Sequence, residues 1–269
     1  MEENSVLSNA AYTYNDTGED AEQTLKEIEE YGLEGYTIDK ELSDDESVVF
    51  FNQEGDEITL SIRGTDPNRF DKEDWLANAL IISGSDTTTE RFYGEIEKLK
   101  KIMEKYPDKK IKTTGHSLGG NISYKLARDF NLEGHHFNAA ASVREAFENL
   151  VSVAYCGEDC QALKKQHFYS TALDPLSFLN LHPLLDQFGQ QNIHYQFRPD
   201  QGWLGHSLNH FLPSKKEPMM KTLTTPEEVY EYLQEKAFLS MTVKPRDPIA
   251  RDFCIDNPRD VRCLRKIVL

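Results

Sequence analysis

The pentapeptide Gly115-His116-Ser117-Leu118-Gly119 is the stretch whose residue types and spacing most directly imply chemistry. A serine with glycines two positions before and two after fits a nucleophile elbow, a sharp turn between a strand and a helix. Such a turn lifts the hydroxyl clear of the backbone. Its outer positions crowd against neighbouring strand and helix, so glycine fits there. The helix that follows aims its first amides at the oxygen on which negative charge develops in acyl transfer. Ser117 is therefore the candidate nucleophile.

A serine nucleophile needs a general base and an acid that orients it, here expected in the chain order Ser, Asp or Glu, His. Asp174 closes the strand-like run HFYSTAL (167–173). An acid at the C-terminal end of a strand shares the sheet edge on which the elbow lies. Asp186 and Asp200 are rivals, but neither closes so clear a strand. His206, in GWLGHSLNHF, follows the last strand-like run and is the favoured base, with His210 four residues on as the alternative. His116, His135, His136, His167, His182 and His194 lie in the elbow or beside strands and are read as structural.

The elements that would position these residues alternate between strand and helix. GYTIDK (35–40), SVVFF (47–51) and EITLSI (57–62) read as strands, the last two joined by a turn at NQEGD (52–56). Residues 19–31 and 91–105 read as amphipathic helices, the first capped by Thr17 and stopped at Gly32, the second with Ile96, Leu99, Ile102 and Met103 on one face. KKIKTTGHSLGGNISYKLARDF reads as strand, glycine turn, helix. HHFNAAA (135–141), HFYSTAL and IHYQF (193–197) are further strands, with a helix expected near 143–152. This order implies a mostly parallel central sheet flanked by helices on both faces. Residues 1–213 are expected to form one α/β domain. Residues 214–269, with a helix start at Thr225-Pro226 and a proline-rich charged tail, read as a C-terminal extension packed on it.

Four stretches, SIRGTD, GHSLGGNISYKLA, STALDPLS and GHSLNHF, together resemble the class 3 (fungal-type) lipases of the α/β-hydrolase superfamily. The resemblance spans roughly residues 35–212. It implies an oxyanion hole built by Thr65, through its amide and hydroxyl, and by the amide of Leu118. DWLANAL (74–80) resembles the segment after the oxyanion turn, and residues 83–92 stand where that family carries its lid. SGSDTTTE lacks an apolar stripe, which favours soluble or dispersed short-chain esters over emulsified triacylglycerol.

Composition bounds the rest. The 269 residues carry 46 Asp and Glu against 30 Lys and Arg, a formal net charge of −16. Such a surface repels phosphate backbones and anionic headgroups, so nucleic acid is not an expected partner. No secretory leader and no apolar run of membrane-spanning length is visible, so a cytoplasmic location is expected. Cys156, Cys160, Cys254 and Cys263 have neither disulfide-scaffold density nor zinc-knuckle spacing and are read as reduced thiols, with a 254–263 disulfide as the alternative. The resulting expectation is a serine ester hydrolase working through an acyl-enzyme on a lipid or other ester, without metal or organic cofactor. The competing reading is a lipase-like interaction module without turnover. The sequence says nothing about oligomeric state.

Overall fold

The computed structural model describes residues 2–16, 21–54, 56–65, 86–139, 151, 161–171, 174, 192–196, 198, 206–213, 228, 231 and 232. The chain divides into two compact units, Met1–Thr222 and Leu223–Leu269. In the first unit, seven strands form one sheet in sequential order: β1 (Tyr36–Ile38), β2 (Ser47–Asn52), β3 (Glu57–Ile62), β4 (Lys110–His116), β5 (Glu133–Phe137), β6 (Gln166–Ser170) and β7 (Asn192–Tyr195). The pairs β1–β2 and β2–β3 are antiparallel, and β3 through β7 run parallel. The described helices are α1 (Glu2–Asp16), α2 (Ala21–Glu29), α3 (Asp86–Lys105), α4 (Leu118–Asp129) and α5 (Gln161–Lys164), with a 3-10 turn at Leu208–His210.

Strand parity explains how both sheet faces are covered. Val48 and Phe50 on β2 join Val6, Leu7, Ala10, Ala11 and Ile28 of α1 and α2 in one buried cluster. Val49, Ile58, Leu60 and Ile62 point to the other face and pack with Leu99 and Ile102 of α3 and Ile122 and Leu126 of α4. Each such side chain, fully buried, contributes about 1.5–3 kcal/mol. Gly32, at φ +79, takes the left-handed conformation that ends α2, as expected from the sequence.

Three expectations need correction. The first residues, read only for targeting signals, form the 15-residue helix α1. The helix read over 91–105 begins at Asp86, and Phe92 packs against the core, while residues 83–85 lie outside the described residues. The packing of the following turns holds the Thr-rich start helical despite its weak propensity. Met103 is 38% exposed; the buried stripe of α3 runs through Glu95, Leu99 and Ile102 instead. The Thr17 cap, DWLANAL, the expected helix near 143–152 apart from Val151, Asp186, Asp200, His182, all four cysteines and nearly all of 214–269 lie outside the described residues.

α1 is bound to the sheet through polar contacts. Ser8 Oγ and Thr114 Oγ1 lie 2.7 Å apart, Ser61 Oγ donates to the Leu7 carbonyl at 2.9 Å, and Ser5 Oγ donates to the Phe211 carbonyl at 2.9 Å. The helix thus touches β3, β4 and the segment around residue 211.

Candidate active site

β4 ends at His116 and α4 begins at Leu118, leaving Ser117 as the hinge between them. Its backbone sits at φ 58, ψ −126, a conformation that costs a non-glycine residue roughly 1–3 kcal/mol. The amide of Ser117 donates to the Phe137 carbonyl at 3.0 Å, and its carbonyl accepts from Asn121 at 3.2 Å. The side chain does not cap α4. The fold therefore imposes the strained turn from both sides and leaves the hydroxyl for other use.

The surrounding glycines are required by close approach. A Cβ on Gly115 would stand 2.5 Å from the Gly119 carbonyl oxygen, and one on Gly119 would stand 2.6 Å from the carbonyl carbon and oxygen of Arg63. A Cβ on Gly64 would meet the Tyr12 hydroxyl at 2.5 Å and Ser117 Cβ at 3.0 Å. The Arg63-Gly64-Thr65 turn that follows β3 thus lies directly against the elbow. Thr65 is half-buried there, and Leu118 buries its side chain among Ile62 and Ile122 while its amide opens α4. The first amides of a helix have no partner in its own ladder.

His206 Nε2 lies 2.9 Å from Ser117 Oγ, and His206 Nδ1 lies 3.0 Å from Asp174 Oδ1. All three side chains are buried: Ser117 is 4% exposed, Asp174 2% and His206 8%. A carboxylate can only accept, so Nδ1 carries the proton and Nε2 presents a lone pair to the serine hydroxyl. Low local polarity strengthens both bonds. Asp174 follows β6 through a turn in which its amide donates to the Thr171 carbonyl, and Asn138 Oδ1 accepts from the Thr171 amide. His210 lies elsewhere. Its Nδ1 accepts from the Arg198 amide at 3.1 Å, and it is fully buried.

Three residues adjoin this constellation: His116, read as structural from the sequence, and Tyr12 and Arg91, which sequence reasoning did not single out. His116 Nε2 lies 2.8 Å from the His206 carbonyl and its Nδ1 lies 2.9 Å from the Tyr12 hydroxyl. Burial, with a smaller effect from neighbouring His206, pushes the His116 imidazole down to about 3, so the ring is neutral near neutral pH. Tyr12 also accepts from the Gly64 amide at 3.0 Å. On the other side of the turn, Arg91 of α3 donates to the carbonyls of Arg63 and Glu46. Only His116 had a sequence signal, its place directly before the nucleophile. Among the described residues, no group of three or more His, Cys, Asp or Glu is arranged to hold a metal ion.

Residues 3–230 match the family model described as the Tle-like phospholipase domain. The chain belongs to that family. This Tle-like phospholipase domain is built on a mostly parallel seven-stranded sheet and is a lipid-ester hydrolase. No curated protein matches the chain. Similar solved structures include Lip2 lipase from Yarrowia lipolytica, with 18% identity over 67% of this chain and 72% of that one and a TM-score of 0.44. A triacylglycerol lipase from Penicillium expansum shares 20% identity over 72% and 77%, with a TM-score of 0.39. The mono- and diacylglycerol lipase from Aspergillus oryzae shares 18% over 71% and 76%, also at 0.39. Among the described residues of this Tle-like phospholipase domain, no helix is long and apolar enough to cross a membrane.

Proposed function

We propose that the domain cleaves acyl esters of phospholipids through an acyl-enzyme on Ser117, with His206 as general base and acid and Asp174 as the residue that orients it. The observation that carries this reading is the 2.9 Å approach of His206 Nε2 to a serine hydroxyl that has no capping role. As Ser117 Oγ attacks the acyl carbon, its proton passes to His206 Nε2. The charge on the carbonyl oxygen is met by the amides of Thr65 and Leu118 and by the Thr65 hydroxyl. The tetrahedral adduct collapses, the alcohol leaves with the proton from His206, and the acyl group stays on Ser117. Water then attacks the acyl-enzyme and gives a proton to His206, which passes it to Ser117 Oγ as the acyl–oxygen bond breaks and the fatty acid leaves.

Phospholipid is the favoured substrate because the family model is phospholipase-like. The expectation of short soluble esters rests on the polarity of residues 83–90 and on the net charge; Asp86–Glu90 belongs to α3. The net charge of −16 favours neutral or zwitterionic surfaces over anionic ones, an effect that salt weakens. The test is fatty-acid release from phosphatidylcholine vesicles, together with labelling by a fluorophosphonate serine probe, in the natural chain and in Ser117→Ala. Turnover and labelling should both disappear in the variant. Hydrolysis that survives Ser117→Ala would refute the assignment.

A further inference from the structure

The polar contacts of α1 extend into the site itself. Tyr12 Oη lies 3.0 Å from the Gly64 amide and 2.9 Å from His116 Nδ1, and His116 Nε2 lies 2.8 Å from the His206 carbonyl. The direction of every bond in this chain is fixed by chemistry. A carbonyl oxygen only accepts, so His116 Nε2 carries the ring proton and donates to the His206 carbonyl. In the neutral ring Nδ1 is then an acceptor, so the Tyr12 hydroxyl donates to it. The Tyr12 oxygen in turn accepts the Gly64 N–H. Burial keeps His116 neutral at working pH, which preserves this polarity.

The three groups so joined come from three separate places. Gly64 precedes Thr65 in the turn against the elbow. His116 directly precedes Ser117. The His206 carbonyl belongs to the residue whose ring approaches Ser117 Oγ. Gly64 has no room to move away, because a Cβ there would already overlap the Tyr12 hydroxyl and the His116 carbonyl. Ser5 adds a second tie from the same helix, donating to the Phe211 carbonyl just beyond His206.

We infer that Tyr12 is a positioning residue of the hydrolytic site, its hydroxyl locking the oxyanion turn, the elbow and the base-bearing segment into one hydrogen-bonded unit. This rests on the reading of Ser117, His206 and Asp174 given above. Tyr12 touches none of the reacting atoms. It sets where Thr65 and the His206 ring stand relative to Ser117 Oγ, and displacement of such groups by even an ångström lowers turnover by about a hundredfold.

The test is Tyr12→Phe in the full chain. Phenylalanine keeps the ring that meets His116 edge-on at 6.0 Å between centroids. With a soluble p-nitrophenyl ester, kcat should fall by about ten- to a hundredfold while KM changes less than about twofold. Inhibition by a boronic acid, which mimics the tetrahedral adduct, should weaken in step with kcat/KM. A variant whose kcat and boronate affinity stay within about twofold of the natural chain would overturn the inference. A parallel measurement on the natural protein does not depend on the variant's folding. Nitrogen-15 NMR of the histidine rings should show His116 protonated at Nε2 and bare at Nδ1, and a proton on Nδ1 would equally overturn it. Ser117→Ala separates the two levels. Activity surviving that change defeats the hydrolytic reading, whereas an inactive Ser117→Ala beside an unaffected Tyr12→Phe defeats this inference alone.

Discussion

Three glycines form a graded test of the elbow's packing. Gly94, exposed on α3, has nothing within 4 Å of where a Cβ would stand. Gly94→Ala should therefore show only the helix-propensity gain of about 0.5–1 kcal/mol. Gly120, one turn into α4, would place a Cβ 3.1 Å from Ala139 Cα, against an ordinary closest approach of 3.4 Å. The neighbour must yield by a few tenths of an ångström, which offsets the propensity gain and leaves Gly120→Ala close to neutral. Gly119 is different in kind. Its Cβ would overlap the Ile62 carbonyl oxygen and stand 2.6 Å from backbone atoms of Arg63, which no rotamer change relieves. Gly119→Ala should cost about 3 kcal/mol, at the upper end of overpacking effects. For a domain of this size that lowers Tm by about 6–12 °C, while Gly94→Ala raises it by about 1–4 °C. The same push displaces the turn that carries Thr65, so kcat on a p-nitrophenyl ester should drop by at least about tenfold. Thermal melts and initial rates of the three variants suffice. A Gly119→Ala protein with unchanged Tm and kcat, or a Gly94→Ala protein destabilised as much, would refute the reasoning.

Asp174→Asn keeps the shape but allows the amide to donate to His206 Nδ1, which puts the ring proton on Nε2, the wrong nitrogen; kcat should fall by about 10³–10⁴ with Tm nearly unchanged, and a loss under about tenfold would remove Asp174 from the relay. Thr65→Val keeps shape and amide but removes the hydroxyl; kcat should fall about ten- to a thousandfold, and an unchanged kcat would leave the amides of Thr65 and Leu118 as the only donors. Acid should weaken the fold from near neutral pH. Burial holds His116, His135, His167 and His194 below the ordinary imidazole value, His116 at about 3 and His167 at about 4. As pH falls below about 6.5 the unfolded chain gains protons that the folded chain refuses, so stability declines from there toward the folded values. The denaturant midpoint against pH reports this, and a midpoint flat down to pH 5 would contradict it.

What the sequence made legible follows from how each element is stabilised. β2 and β3 alternate or accumulate apolar residues, and the structure assigns Glu57–Ile62 to the span read from EITLSI. Gly115 and Gly119 were legible because backbone crowding leaves no other residue possible. α1 was not, because the residues it buries include Asn4, Ser5 and Ser8 beside Val6 and Leu7, which blurs the apolar stripe that marks an amphipathic helix. Ser8 is matched by Thr114 and the Leu7 carbonyl by Ser61 on the sheet, a complementarity invisible until the partners meet. Tyr12 and Arg91 escaped notice for the same reason: each acts on backbone atoms far along the chain. The start of α3 at Asp86 was not legible because DTTTE, rich in threonine, has weak helix propensity.

The tie between Ser5 and Phe211 joins α1 to the segment that carries His206. Ser5 and Phe211 stand about two hundred residues apart, and contacts so distant in sequence are slow to form. The alignment of His206 thus leans on a pairing that bridges most of the sequence.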